Sequence, residues 1–158
     1  MKKFNQILTV ISLIAGIAIN ALMFFIFYLF SENYAFYNPE IAYMQYPMLG
    51  LVYLMLSGFL LALVIALILV LKSRGESIFK QKTVRALRWM GHAFLFSFFS
   101  CLAIYLYSYS QLASGMGLIG AYIILALAMC FVAMNVIYFL ANLFERAVFY
   151  KEESDLLV

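Results

Sequence analysis

Three long stretches without a charged residue constrain this chain more than anything else in it. Residues 4–31, 41–71 and 89–144 run for 28, 31 and 56 positions, and none contains Asp, Glu, Lys or Arg. A helix needs about 20 apolar residues to cross a hydrocarbon core about 30 Å thick. The first two stretches are therefore one span each. The third is long enough for two, and its middle, residues 107–117, is rich in Ser and Gly as a turn should be. The sequence predicts spans at about 7–30, 48–71, 87–108 and 119–144. Backbone polar groups in lipid must be paired within their own segment, so these spans are helices. The expected fold class is an all-α membrane protein, one integral domain over 1–158 built as an antiparallel bundle of four transmembrane helices. With 68% hydrophobic and 11% charged residues, the chain cannot cover a soluble surface. That composition weighs against a soluble enzyme, a direct nucleic-acid binder and a secreted disulfide scaffold.

Threading follows from the cations. Lys2 and Lys3 precede the first span; Lys72, Arg74, Lys80, Lys82, Arg85 and Arg88 lie between the second and third; Arg146 and Lys151 follow the fourth. These are all ten Lys and Arg of the chain, and segments 31–47 and 109–118 have none. By the positive-inside rule both termini, the loop 72–86 and the tail 145–158 are cytoplasmic, and 31–47 and 109–118 are outer loops. Ten of the twelve tyrosines fall at or near the outer ends, where amphipathic rings favour the interface. The N-terminal Met-Lys-Lys with its apolar stretch is expected to be an uncleaved span: the apolar run is too long for a signal peptide and is followed by further aromatic residues.

Within the spans, small and weakly polar residues recur. Ser12, Gly16 and Asn20 are spaced by four, as are Gly58, Ala62 and Ala66, and Ala93, Ser97 and Cys101. Ala121, Ala128, Asn135 and Asn142 are spaced by seven. Such stripes let membrane helices approach closely, with Asn bonding across the contact; a polar ligand site at Asn20 and Asn135 is the alternative reading. Cys101 and Cys130 form no CxxC pair and read as apolar packers. The one histidine, His92, reads as filler near the inner interface beside Trp89. No span carries an acid or base at its centre, which disfavours a proton- or ion-coupled antiporter. No catalytic, cofactor or metal motif appears, so the expectation is a non-enzyme without cofactors.

The informative polar segments face the cytoplasm. Residues 72–88 carry six bases and Glu76, a net of +5, fit for anionic headgroups beside the bilayer. Thr83 or Ser77 is the expected N-cap of the third span. The tail 145–158 has four acids against two bases, a net of −2, which the positive-inside rule does not explain. The segment 78–91, IFKQKTVRALRWMG, and the close 143–158, LFERAVFYKEESDLLV, resemble the YoaS-like family of small bacterial four-span membrane proteins, a domain of unknown function. Ser154 and Leu157 depart from that family's usual Asn and Thr. The resemblance maps its loop motif onto Phe79, Thr83, Arg85, Leu87 and Arg88, and its tail motif onto Glu152, Glu153, Asp155 and Leu156. It implies a bacterial plasma-membrane protein with no assigned catalytic residue. Its members are associated with small helix-turn-helix regulators, which implies a membrane-bound modulator of such a transcription factor.

The leading expectation is a regulatory or interaction protein whose loop and tail bind a protein partner. A second is protection against cationic peptides through the aromatic, acidic segment 31–47; a third is a small subunit of a transporter or export complex. A homo-oligomer is compatible with each. The threading is tested by single cysteines in intact cells. Those at Asn38 and Ser114 should react with a membrane-impermeant reagent, and those at Ser77 and Ser154 should not; labelling at Ser77 would overturn it.

Overall fold

The computed structural model describes residues 2–72, 80–112, 115 and 117–157. Four helices account for nearly all of them: α1 Lys2–Tyr37, α2 Gln45–Lys72, α3 Gln81–Gln111 and α4 Gly117–Leu157. All four are long and apolar enough to cross a membrane, and no strand occurs among the described residues. Each contains one expected span and runs past it.

The helix ends have local causes. Asn38 stops α1 because Pro39 follows and disfavours helical backbone before it. Its backbone N–H and its side-chain Nδ2 both donate to Tyr34 O, at 3.0 Å each. The chain then makes a short 3-10 helix, Pro39–Met44, and enters α2. The segment expected as an open outer loop is thus mostly helical. Lys80, in extended backbone, is the N-cap of α3 without a side-chain cap bond, and its carbonyl accepts from Thr83 and Val84. Thr83 therefore sits inside the first turn and is not the cap; Ser77 lies outside the described residues. Between α3 and α4, Gly115 and Gly117 adopt φ of 89° and 52°, backbone that a side chain disfavours.

The helices pack in chain order, α1 on α2, α2 on α3 and α3 on α4, and among the described residues α1 and α4 make no backbone contact. The α2–α3 seam is a close one. A Cβ on Gly58 would lie 2.0 Å from Ser97 Oγ and 2.9 Å from Ala93 O. Ser97 is fully buried there and donates to Met55 O at 2.9 Å. The small-residue stripes of both helices meet as expected: Gly58, Ala62, Ala93, Ser97 and Cys101 are buried and Ala66 is half-buried. The α3–α4 seam is larger-grained. Tyr138 lies over Gly91, where a Cβ would come within 2.5 Å of its ring, and its hydroxyl meets His92 Nδ1 at 2.8 Å. A buried cluster of Leu87, Met90 and Ala141, with Ile65, Leu69 and Phe144 against it, closes the basic end of α2, α3 and α4.

In α4 the seven-residue period holds but its phase is one residue off the expectation. Gly120, Ala141 and Val148 are buried and Leu127 and Met134 half-buried, whereas Ala121, Ala128, Asn135 and Asn142 are exposed. Asn135 satisfies its amide within its own helix, on Phe131 O at 2.8 Å. In α1, Ser12 is exposed and Gly16 meets only Leu63 side-chain atoms, at 3.6 Å or more. Asn20 is buried with its Oδ1 unpartnered. Large apolar side chains cover the outside of all four helices, a surface suited to lipid and not to water.

The two glycines are expected to behave oppositely. Gly58→Ala forces a Cβ into backbone and should cost about 1–3 kcal/mol. Gly16→Ala adds an ordinary contact and a better helix former, so it should be neutral or stabilise by up to about 1 kcal/mol. Thermal aggregation of the detergent-purified variants measures both; equal behaviour would mean that α2 and α3 are not in contact at Gly58.

Candidate functional site

Polar chemistry collects at the two ends of the helices, and the basic end carries most of it. At about 1.5 Å per residue, α4 is about 60 Å long, roughly twice the hydrocarbon thickness, so its last turns project beyond any membrane it crosses. Packing continues into that projection, since Val84 near the start of α3 and Val148 on α4 are both buried. Arg88 Nη2 ion-pairs with Glu145 Oε2 and lies 3.5 Å from Asn142 Oδ1. The two ionic side chains keep 42% and 55% of their exposure, so water weakens the pair. Asn142 thus serves this polar contact at the helix surface and does not pack in the interior.

The remaining residues matched by the loop and tail resemblance are dispersed around this pair. Leu87 is buried in the core, Thr83 is half-buried and Arg85 is exposed. Phe79 lies outside the described residues. Glu152, Glu153, Asp155 and Leu156 are all exposed on the last turns of α4. The partner of Arg88 is therefore Glu145, and not the acidic triad. No base lies in the last turn of α4. Asp155, in the last turn, opposes the helix dipole by about 0.3–1 kcal/mol and Glu152 and Glu153, a turn earlier, by less, and the adjoining Leu156 and Leu157 are 87% and 84% exposed. Phe149 and Tyr150 stand out beside Asn142, Glu145 and Arg146 around a shallow cleft.

The other end is apolar and open. Among the described residues α1 and α4 make no backbone contact, and a groove of about 470 Å³ runs between them over α2 and α3. Val52, Met55, Ile104, Ile123 and Ala126 are among its walls, and Ser31, Tyr34, Gln45, Ser108 and Tyr122 supply its polar groups. Gln45 Nε2 donates to Ser31 Oγ at 3.5 Å, and Tyr43 OH donates to Gln111 Oε1 at 2.9 Å, tying the 3-10 helix to the end of α3. Tyr28 OH donates to Glu32 Oε1 at 2.8 Å. Sequence reasoning missed this groove and the His92–Tyr138 contact. A signal for the second was present in the glycine beside the lone histidine, but nothing local indicates which residue of α4 covers them.

Asn20 and Asn135 do not share a site, one being buried and the other facing outward. Cys101 and Cys130 are free and buried, and Cys101 Sγ lies 3.8 Å from Ile123 O.

The model of a family described as "Protein of unknown function (DUF2975)" matches residues 29–158, from the last turns of α1 to the end of the tail. This agrees with the domain of unknown function read from the loop and tail, although the match carries no YoaS-like name. No curated protein and no solved structure matches the chain.

The Arg88–Glu145 contact is exposed enough for its strength to be forecast. A double-mutant cycle with Arg88→Ala and Glu145→Ala should return a coupling of about 0–1 kcal/mol that shrinks as salt rises. A coupling of several kcal/mol, insensitive to salt, would mean that the pair is buried in an assembly.

Proposed function

We propose that this protein, which belongs to the DUF2975 family of proteins of unknown function, is a non-enzymatic regulatory or interaction protein of a bacterial plasma membrane. In this reading the four helices cross the bilayer antiparallel, with both termini, the basic loop and the acidic tail in the cytoplasm. The crossed pairings of Gln6 with Val70 and of Tyr53 with Phe24 support that arrangement of α1 and α2. The partition of all ten Lys and Arg supports the orientation. The basic segment 72–88 rests against anionic headgroups. The acidic, leucine-ended tip of α4 recognises a protein partner with a basic, partly apolar face, and the helix-turn-helix type of regulator implied by the resemblance fits that description.

The observation that carries this reading is the last two turns of α4. They place Glu152, Glu153 and Asp155 against the helix dipole and leave Leu156 and Leu157 bare. Neither arrangement stabilises an isolated helix. Residues that break a local rule without a local gain are candidates for function, and a basic partner supplies both the counter-charge and the apolar cover.

Replacing Glu152, Glu153 and Asp155 together with Ala should leave insertion unchanged and thermal stability at or slightly above the parent value, because all three side chains are exposed and their loss relieves the helix dipole. Copurification of a partner in gentle detergent from the native host should fall by about tenfold or more, as loss of about 1–2 kcal/mol of charge-assisted contacts requires. A triple variant that inserts normally and retains its partner would remove this surface from consideration.

A further inference from the structure

We propose that the outward face of α4 is an interface between two copies of this chain, on which their Asn135 amides bond to each other within the bilayer.

The amide comes first. Asn135 is exposed on α4. At about 1.5 Å per residue it stands about 14 Å from Phe144, where the charge-free stretch ends. That is close to the middle of a hydrocarbon core about 30 Å thick. Its Nδ2 donates to Phe131 O, whereas its Oδ1 accepts nothing among the described residues. Water would satisfy such an atom on a soluble protein; lipid cannot, and a bare amide there is costly. Among the described residues no other Asn or Gln is exposed in the middle of a span, since Asn20 is buried.

The amide lies on an ordered face. Ala121, Leu125, Ala128, Val132, Asn135 and Phe139 are all exposed and stand alternately four and three residues apart. This is the spacing of a helix–helix seam in a coiled coil. Small and large side chains alternate along it, so the large ones of one helix fit beside the small ones of another. A polar residue on such a seam sets its register. The next large position is Arg146, whose charge opposes that of its counterpart, so the contact ends near Phe139.

The bilayer then selects the occupant. Copies threaded in the same direction pair about a two-fold axis along the membrane normal, and their α4 helices run parallel. A residue on that axis faces its own counterpart, so each Asn135 Nδ2 donates to the other copy's Oδ1. A different protein would have to present an amide at the same depth; a second copy does so by symmetry. The interface needs only one common threading, in whichever direction. It shares no residue with the acidic tip, so either proposal can fail alone.

The test uses the full chain in phosphatidylcholine vesicles that hold no other protein. Energy transfer between copies labelled at the N-terminus measures the dimer. Asn135→Leu should lower the association constant about tenfold, whereas Asn135→Gln, which keeps the amide, should stay within about threefold of the parent. Ala128→Phe should abolish the dimer by holding the seam apart. These side chains face outward, so thermal stability of the single chain should hold. On a background with Cys101 and Cys130 replaced by Ala, Ala121→Cys and Ala128→Cys should oxidise to interchain disulfides about tenfold faster than Met129→Cys and Leu61→Cys. The last two positions are exposed but off the row, and a disulfide needs Cα atoms within about 7 Å. Monomers in the vesicles, an association constant unchanged by Asn135→Leu, or equal oxidation on and off the row would each overturn the proposal. Monomers in vesicles with Ala128→Cys crosslinking to another protein in native membranes would give this face to a different partner.

Discussion

The seam between α2 and α3 at Gly58 and Ser97 holds the four helices together as one body. Among the described residues α1 packs on α2 and on the 3-10 helix that leads into it, and α4 packs on α3, so the outer helices are joined through the central pair. In lipid, apolar side chains gain little from meeting one another, because the tails around them are equally apolar. Association must come from close packing and polar contacts. A missing Cβ at Gly58 lets the backbones approach, and the Ser97 hydroxyl uses that approach to donate to Met55 O. Neither residue type would achieve this without the other opposite it.

From this seam the two ends diverge. At the basic end Leu87, Met90 and Ala141 close the core, and the helices continue past the span into a projecting pair tied by Arg88 and Glu145. At the other end no such cluster draws α4 toward α1. Tyrosines and the 3-10 helix brace the opening from the side, through Tyr43 and Gln111. The charged residues all lie outside the three charge-free stretches, so recognition by charge is confined to the ends. One end offers both signs and the other only negative charge.

Much of the fold was legible because the bilayer imposes its own rules. Charge-free run lengths located four helices, and the turn residues Asn38-Pro39 and Gly115 and Gly117 fell where helices break. The small stripes of α2 and α3 face one another across the seam, as glycine and serine at a spacing of four have few other uses in a span. The phase of α4 was not legible. Its seven-residue repeat is visible, but Gly120 and Ala121, or Ala141 and Asn142, are equally good starting points when hydropathy is high on every side. Favouring the asparagines as inward residues misplaced the face. Asn135 bonds its own helix and Asn142 reaches the polar rim beside Arg88.

The acidic residues of the tail were legible as a group but not as individuals. Charge counting treats Glu145 like Glu152, Glu153 and Asp155, and only the geometry separates them. Glu145 is one helical turn beyond Ala141, which the core of α3 and α4 buries completely, so its carboxylate emerges where α3 presents Arg88. The other three lie two or more turns further on, close to a helix end whose dipole they oppose. An intramolecular cation is thus already committed to Glu145, and the acids further along the helix retain the longer reach. On the proposed reading, a partner bound at this tip leaves the seam below packed. Arg88 and Glu145 contribute too little to the spans for their loosening to be felt there, and the tip residues are fully exposed and contribute less.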